Sequence, residues 1–134
     1  MSDSYGSCLC GEVKFNIIGK FDSFYLCHCE HCKKDTGSAH AANLFSQSAE
    51  LTWQTGEAAI STFTLPGTRH SKSFCKLCGS ALPNIQSEGA LLVVPAGSLD
   101  GKLTFQPTAH IFTSSKTHWE SALETIPAFE TFPK

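Results

Sequence analysis

A strict alternation of polar and apolar residues runs through positions 12–17 of this chain. Val13, Phe15 and Ile17 are separated by polar residues, so they share one face of an extended segment. A period of two residues is typical of a β-strand with one buried face. The pattern therefore predicts a strand over residues 12–17, with these three side chains in a hydrophobic core.

The rest of the chain consists of short apolar segments separated by residues that favour turns. We expect turns or loops at residues 55–57, 65–68, 85–89 and 97–101. Helical patterns are confined to a short turn over residues 33–37 that ends on Gly37, and to residues 119–123 before Pro127. Short strands with regular turns predict a mainly β fold of antiparallel sheets. The further predicted strands are residues 21–26, 39–45, 51–53, 58–64, 69–74, 80–83, 90–94 and 109–112.

The composition is that of a globular protein of modest size. The chain has 134 residues, of which 41% are apolar and 16% are charged, and its formal net charge is −2. This length suits one domain over residues 1–134. Lys and Arg are spread along the chain, which argues against nucleic acid as a partner. No apolar run approaches the roughly 20 residues that cross a bilayer, and residues 1–4 lack the features of an export signal. We therefore expect a cytoplasmic protein with no membrane partner.

The densest chemistry lies at residues 27–32, where three cysteines and two histidines occur within six positions. Cysteines that only fill a core are expected singly among apolar residues. Cys27, Cys29 and Cys32 instead offer three thiolates on one local turn, which can hold a metal such as zinc and leave one of its four tetrahedral positions open. Catalytic zinc sites keep such an open position, whereas structural sites are closed.

The seven cysteines divide into a group of four and this group of three. Disulfides are not expected in a cytoplasmic chain, because the cytosol keeps thiols reduced. Cys8 and Cys10 precede Gly11 in a C-x-C-G turn, and Cys75 and Cys78 lie on a C-x-x-C-G knuckle. Two such pairs, far apart in sequence, are the usual source of a closed four-sulfur zinc site. This site would join the start of the chain to a knuckle more than half its length away.

The sequence leaves the fourth ligand of the three-cysteine site open. His28 lies between two of the cysteines, but strand alternation turns its side chain to the opposite face. Water or a substrate thiol is therefore favoured as the fourth ligand. The following histidines are isolated along the chain, and we expect each to be a hydrogen-bonded structural residue rather than a ligand: His40, His70, His110 and His118.

Three segments of the chain together resemble the glutathione-dependent formaldehyde-activating family, which includes centromere protein V. They are G-S-C-L-C-G-E-V at residues 6–13, C-H-C-E-H-C-K-K-D-T-G-S at residues 27–38 and F-C-K-L-C-G-S at residues 74–80. Residues 97–100, 110–116 and 126–129, with Trp119, are similar to the family's C-terminal pattern. The resemblance spans nearly the whole chain.

The resemblance implies a β-tent fold of antiparallel sheets that is stapled by a four-cysteine zinc site. It also implies a structural and a catalytic zinc ion in each chain. The reaction that gives the family its name is the condensation of glutathione with formaldehyde to S-hydroxymethylglutathione, a carbon–sulfur lyase activity. The implied ligands are Cys8, Cys10, Cys75 and Cys78 for the structural zinc, and Cys27, Cys29 and Cys32 for the second zinc.

If the chain carries out this reaction, the open zinc position either binds the glutathione thiol as a thiolate or polarises the aldehyde oxygen. Three thiolates give the site a formal charge of −1, which weakens zinc as an electrophile and favours thiol binding. Glu30, His31 and Asp35 lie nearby in sequence and could carry the proton to the hydroxymethyl oxygen. The carboxylates of glutathione could meet basic side chains at Lys33, Lys34, Arg69, Lys72 and Lys116.

Two other functions stay open on the sequence alone. One is a non-catalytic zinc module that binds a macromolecular partner, for which the negative net charge disfavours nucleic acid. The other is a thiol-handling redox protein, in which Cys27, Cys29 and Cys32 release zinc on oxidation and form a disulfide.

Overall fold

The computed structural model of the chain describes residues 3–86 and 88–133, and it is built mainly of β-strands. These residues form twelve strands and one short α-helix, α1, which spans Glu30–Thr36. In chain order the strands are β1 (Asp3–Ser7), β2 (Lys14–Ile18), β3 (Ser23–Cys27), β4 (Ala41–Ser46), β5 (Glu50–Thr55), β6 (Ile60–Thr64), β7 (Ser71–Cys75), β8 (Ala81–Leu82), β9 (Asn84–Gln86), β10 (Leu91–Pro95), β11 (Leu99–Asp100) and β12 (Ala109–Ile111).

The strands form three sheets. The strand order is β11-β1-β2-β5 in the first sheet, β12-β3-β4-β10-β9 in the second and β6-β7-β8 in the third. The pairings are antiparallel except that β12 runs parallel to β3, with Ile111 opposite Cys27. The predicted mainly β fold is confirmed, with this one parallel pairing in addition. Because parallel strands need a long crossover connection, local turn patterns cannot reveal such a pairing.

Strand β2 supplies the core residues that the alternation predicts. Val13 precedes the strand and Phe15 and Ile17 lie within it, and all three side chains are at most 1% exposed. Phe15 packs edge-on against Trp53 of β5, with ring centroids 5.8 Å apart. On its other side β2 pairs with β1, which the pattern does not predict because Asp3–Ser7 has no apolar alternation. The first sheet is thus built around the predicted strand.

Helix α1 begins shortly after β3 and places part of the cysteine cluster in its first turn. The Sγ atom of Cys29 caps the helix by accepting a hydrogen bond from the backbone N–H of Cys32 at 3.3 Å. The helix ends on Gly37, whose φ of 67° lies in the left-handed region. The predicted end is therefore correct, but the helix begins at Glu30 rather than at residue 33 because a cysteine side chain caps it.

Three predicted turns or helices have a different structure. Residues 85 and 86, expected in a loop, belong to β9 and pair with β10, while Ser87 lies outside the described residues. Residues 97–101, expected to be a turn, contain β11, which pairs with β1. The helix expected at residues 119–123 is replaced by two 3₁₀ turns, at His118–Glu120 and Leu123–Thr125. The unexpected strands form because a neighbouring strand offers unpaired backbone groups, not because of their own sequence.

The topology gathers the cysteines at two places. One is where the turn after β1 meets the knuckle between β7 and β8, and the other is the end of β3, which β4 and β12 flank. Within the described residues, none of the helices has the length and apolar character needed to cross a membrane. The assignment of residues 1–134 to one domain stays a prediction.

Candidate metal centres

The four cysteines of the predicted closed site come together from two turns. Cys8 and Cys10 lie in the turn after β1, whereas Cys75 ends β7 and Cys78 lies in the knuckle before β8. In the first turn the N–H of Gly11 donates to the carbonyl of Cys8 at 3.1 Å, and a φ of 84° at this position favours glycine. The four sulfur atoms all lie within 4.8 Å of one another.

The spacing of these sulfurs fits a closed zinc site. With Zn–S bonds of about 2.3 Å, the edges of a tetrahedron of four sulfurs are roughly 3.8 Å long. The Sγ atoms of Cys8 and Cys10 are 3.6 Å apart, and those of Cys10 and Cys75 are 3.9 Å apart. The backbone N–H of Val13 donates to Cys8 Sγ at 3.3 Å, a type of contact that orients a thiolate ligand. These four residues could therefore hold one zinc ion.

Cys10 and Cys78 are the two less buried cysteines of this four-cysteine group, and their thiols differ in pKa. Burial acts to raise the pKa of Cys78, but hydrogen bonds from the backbone of Ser80 and Cys10 and from the Cys75 thiol outweigh it and lower the pKa to about 6. A backbone hydrogen bond from Glu12 acts to lower the pKa of Cys10, but burial and the neighbouring thiols raise it to about 11. Because the thiolate is the form that binds metal, Cys78 is the more readily available ligand of these two.

The three-cysteine group lies at the end of β3 and in the first turn of α1. Cys27 is the last residue of β3, Cys29 caps the helix and Cys32 lies within it. Their sulfurs are within 4.8 Å of one another, and in the described part of the chain the group has these three members. Cys27 and Cys32 are buried, whereas Cys29 is half-buried. Three sulfurs can hold a tetrahedral cation and leave its fourth position open.

Cys29 is the thiol of this group that loses its proton most easily. Burial acts to raise the pKa of Cys29, but hydrogen bonds from the backbone N–H of Cys32 and from the other two thiols outweigh it and lower the pKa. Burial is the main cause of the raised pKa of Cys27 and of Cys32. The thiol with the lowered pKa is also the most exposed of the three.

His28 is turned away from the three sulfurs, as strand alternation predicts. Its ring is fully buried, with Nδ1 at 3.3 Å from Oε2 of Glu120 and Nε2 at 2.8 Å from Nδ1 of His110. His40 packs beside it, with ring centroids 5.2 Å apart, and burial followed by the nearby His28 lowers the pKa of His40. His110 is thus hydrogen-bonded, as expected of a structural histidine, whereas Nδ1 of His40 has no hydrogen-bond partner among the described residues. The fold brings both rings to His28, and their positions in the sequence do not reveal this proximity.

Residues 3–115, most of the chain, match the family described as glutathione-dependent formaldehyde-activating enzyme. The chain belongs to this family. The resemblance drawn from the cysteine motifs is thereby confirmed.

Among solved structures, the crystal structure of a Rhodobacter sphaeroides protein is similar to that of this chain. The two share 17% sequence identity with a TM-score of 0.61, over 79% of this chain and 98% of that one. At this identity the likeness shows the fold alone. No curated protein matches the chain.

The acid–base residues predicted for this member of the formaldehyde-activating family lie on α1. Glu30 is exposed and forms an ion pair of 3.2 Å within the helix. His31 is also exposed, and its ring centroid is 5.5 Å from that of His70. Asp35 is engaged on both sides, with Oδ2 at 2.9 Å from Nε2 of His70 and Oδ1 at 2.7 Å from Nζ of Lys72. Glu30 and His31 therefore face solvent in the first turn of the helix, while Asp35 is held by two basic side chains.

Two of the five basic residues predicted to meet substrate carboxylates are engaged within the protein. Lys33 pairs with Glu30 and donates to the backbone carbonyl of Ser115. Lys72 pairs with Asp35. The other three basic residues are exposed, namely Lys34, Arg69 and Lys116.

A cavity of about 210 Å³ is lined in part by residues of α1 and β4. Ala41 of β4 lines this cavity and also packs with Cys27 and Cys32. The paired side chains of Asp35 and Lys72 line another part of the wall. The sequence does not predict the cavity, because its lining comes from α1 and five separate strands, with Gly97 in addition. Ala41 is therefore the residue that links this cavity to the three-cysteine group.

Glu120 is a buried acidic residue that is not among the predicted site residues. Its side chain is 6% exposed, and its Oε2 atom accepts hydrogen bonds from Thr117 Oγ1 at 3.0 Å and from the Thr117 N–H at 3.3 Å. Burial acts to raise the pKa of Glu120, but the Thr117 hydrogen bonds and the nearby His28 outweigh it and lower the pKa. The spacing T-x-x-E at residues 117–120 is the capping-box pattern, and it is the sequence signal that points to this carboxylate.

Proposed function

We propose that the protein is a zinc-dependent enzyme of the carbon–sulfur lyase type, which joins a thiol to an aldehyde. Its substrates are glutathione or a related thiol and formaldehyde or a related aldehyde, and its product is S-hydroxymethylglutathione or the corresponding adduct. Membership of the family supports this class of reaction. The observation that carries the proposal is the group of three sulfurs whose neighbouring histidine is turned away.

The seven cysteines hold two zinc ions in this proposal, one structural and one catalytic. The catalytic ion supplies an open position at which a thiol is held as a thiolate. The summed negative charge of the three thiolate ligands is one unit larger than the positive charge of a divalent cation. This excess suits activation of a nucleophile better than polarisation of an aldehyde. The structural ligands are Cys8, Cys10, Cys75 and Cys78, and the catalytic ligands are Cys27, Cys29 and Cys32.

The proposed reaction is an addition that balances without a further reactant. The thiol sulfur forms a bond to the aldehyde carbon, the carbon–oxygen π bond opens, and the thiol proton ends on the new hydroxyl oxygen. We assign the transfer of this proton to His31 and Glu30, which are exposed in the first turn of α1. Imidazole and carboxylate groups are the usual general acids and bases of enzymes.

The cavity beside Ala41 is the proposed binding site for the reacting groups. Its volume of about 210 Å³ is smaller than the roughly 300–1,000 Å³ of pockets that enclose a drug-sized ligand. It therefore suits the aldehyde and the cysteinyl part of a thiol, while the rest of a tripeptide extends over the surface. The exposed side chains proposed to meet the tripeptide's carboxylates are Lys34, Arg69 and Lys116.

We also place the protein in the cytoplasm, as one domain over residues 1–134. All seven cysteines are free thiols in the structure. Thiolate ligands need the reducing conditions that the cytosol maintains.

The reaction is tested by following isotopically labelled formaldehyde with glutathione by exchange NMR, which reports formation and breakdown of the adduct. The wild-type protein is expected to accelerate the exchange above its spontaneous rate. Cys29→Ser should abolish the acceleration, because it removes a ligand of the catalytic zinc. Ser38→Ala, at an exposed position just after α1, is the control and should keep the wild-type rate. No acceleration by zinc-loaded wild type would refute the reaction and leave a non-catalytic zinc module.

A second candidate function is thiol-based redox sensing, which the accessibility and lowered pKa of Cys29 favour. Mild peroxide would oxidise two of the three thiols to a disulfide, with reduction of the peroxide to water, and the second zinc would be released. Zinc analysis and thiol titration distinguish the two functions. Loss of one zinc ion that a reductant and added zinc restore would support redox sensing, whereas unchanged zinc content would exclude it.

A further inference from the structure

His28, His40 and Glu120 form another group of metal-ligating side chains, which the proposed reaction does not use. One ring nitrogen of each histidine and a carboxylate oxygen of Glu120 lie within 4.8 Å of one another. We propose that these three side chains bind a divalent first-row transition cation such as Zn²⁺, at a site separate from both cysteine groups. His28 follows β3, His40 precedes β4 and Glu120 lies in a 3₁₀ turn near the end of the chain, so the fold alone assembles the site.

The distance between His28 and Glu120 fits two ligands of one cation better than a strong hydrogen bond between them. A charge-assisted N–H···O bond is about 2.7–2.9 Å long. A tetrahedral cation with bonds of about 2.1 Å separates its nitrogen and oxygen ligands by roughly 3.4 Å. His28 Nδ1 and Glu120 Oε2 are 3.3 Å apart. These two atoms therefore already have the spacing that a shared cation requires.

His40 contributes a buried nitrogen atom that lacks a partner. Its Nδ1 atom is buried and makes no hydrogen bond to any group in the described part of the chain. Buried polar atoms are almost always paired, because an unpaired one loses its hydrogen bonds to water without compensation. A cation shared with His28, whose ring centroid is 5.2 Å away, would satisfy this nitrogen.

Further hydrogen bonds hold two of the ligands in the orientation that metal sites require. Nε2 of His28 is 2.8 Å from Nδ1 of His110, which is too close for two ligands of one tetrahedral cation but suits a hydrogen bond. We assign His110 as a positioning residue, since such a partner fixes the ring of a metal-binding histidine and leaves the other nitrogen for the cation. Thr117 Oγ1 donates to Glu120 Oε2 at 3.0 Å and fixes the carboxylate in the same way.

The donor set indicates the class of cation. Two imidazoles and one carboxylate suit Zn²⁺ and neighbouring divalent ions, whereas Mg²⁺ and Ca²⁺ prefer sets of oxygen ligands. His40 is half-buried and the adjacent His110 is exposed, so the group is close enough to the surface for a cation to enter from solvent. With three protein ligands, a further position is left for water or a small ligand.

A titration of the zinc-loaded protein with Co²⁺ under reducing conditions tests this proposal. Cobalt bound by thiolates gives ultraviolet charge-transfer absorption, whereas cobalt bound by imidazole and carboxylate adds visible absorption without it. Zinc is counted before the titration and all bound metal is counted after it. We expect the wild type to bind one divalent ion per chain beyond the ions on the cysteine groups, and any cobalt taken up there to lack charge-transfer absorption.

Variants in the group assign the site to its residues. His40→Gln and Glu120→Gln should each lower the bound metal by one ion per chain and leave the cysteine-bound metal unchanged. His110→Gln should weaken binding at this site about tenfold, as loss of such an outer hydrogen bond usually does. His70→Gln is the matched control, because His70 is a half-buried histidine that pairs with Asp35 outside the group, and it should bind as much metal as wild type. Circular dichroism checks the fold of each variant, and the two ligand variants keep the test decisive if one of them does not fold.

Three results would overturn the proposal. They are a wild type that binds no metal beyond the cysteine groups, extra binding that survives both ligand variants, and cobalt that binds only with ultraviolet charge transfer and therefore on sulfur. None of these results depends on the formaldehyde reaction. Failure of this site and failure of the proposed activity are thus distinguishable.

Discussion

Removing one ligand from the four-cysteine group should unfold the protein, whereas removing one from the three-cysteine group should not. The sulfurs of Cys10 and Cys75 meet across 65 residues, and a cross-link over a loop of that length removes about 4 kcal/mol of unfolded-chain entropy. Structural zinc contributes about 10–16 kcal/mol to the folding of small domains, against a typical total stability of about 5–15 kcal/mol. The three-cysteine group closes only six residues, for which the same entropy relation gives about 2 kcal/mol.

Cys78→Ser and Cys29→Ser are a matched pair of variants for this prediction, because both cysteines are half-buried and both changes replace a thiol by a hydroxyl. Guanidinium unfolding followed by circular dichroism, with zinc and a reductant present, measures the free energy of unfolding. We expect Cys29→Ser to unfold cooperatively, with a free energy of unfolding about 2 kcal/mol lower than that of wild type, and to bind one zinc ion fewer. Cys78→Ser should be unfolded before denaturant is added. A Cys78→Ser protein within about 1 kcal/mol of wild type, or equal losses in both variants, would refute the division of roles.

Three further predictions concern packing and charge, and each is measured as the change in the free energy of unfolding. Phe15→Ala should lower stability by about 3–5 kcal/mol, because this fully buried ring leaves a cavity; a loss below about 1 kcal/mol would contradict its place in the core. Gly6→Ala should lower stability by about 1–3 kcal/mol, since an added Cβ would lie 2.3 Å from the carbonyl oxygen of Ser98 and 2.4 Å from the Phe15 ring. A neutral effect would show that Gly6 does not lie so close to these two residues. Asp35→Asn should lower stability by about 1–2 kcal/mol, because it removes the carboxylate charge from the 2.7 Å ion pair with Lys72 and from the hydrogen bond with His70. In 1 M salt the difference in stability between wild type and this variant should shrink only slightly, since the Asp35 side chain is largely buried.

Strands that show a local alternation of polar and apolar residues were predictable from the sequence. The alternation around Phe15 identified β2 and its buried face, because one side of that strand faces the core and the other faces solvent. The short strands β1, β9 and β11 escaped prediction because pairing with a neighbouring strand, rather than apolar alternation, holds them in place. Propensity is a weak guide where a neighbour supplies the hydrogen bonds.

In the candidate site, too, the local features were predictable from the sequence and the long-range contacts were not. The cysteine spacing alone predicted both cysteine groups, and strand alternation predicted that His28 turns away from the three sulfurs. What His28 turns toward was not predictable, since Glu120 is 92 residues away and His110 is 82 residues away. The parallel pairing of β12 with β3 brings His110 beside this segment, and a sequence pattern does not reveal that pairing.

Cys27, Cys29 and Cys32 are proposed to leave one position of their metal ion open for a substrate thiol. The direct test is the absorption spectrum of protein with cobalt in the three-cysteine group, titrated with glutathione and, as a control, with S-methylglutathione. We expect a saturable increase in sulfur-to-cobalt charge transfer with glutathione, because a fourth sulfur joins the three of the protein, and no change with the control, which has no thiol. An identical spectrum with and without glutathione would contradict the claim.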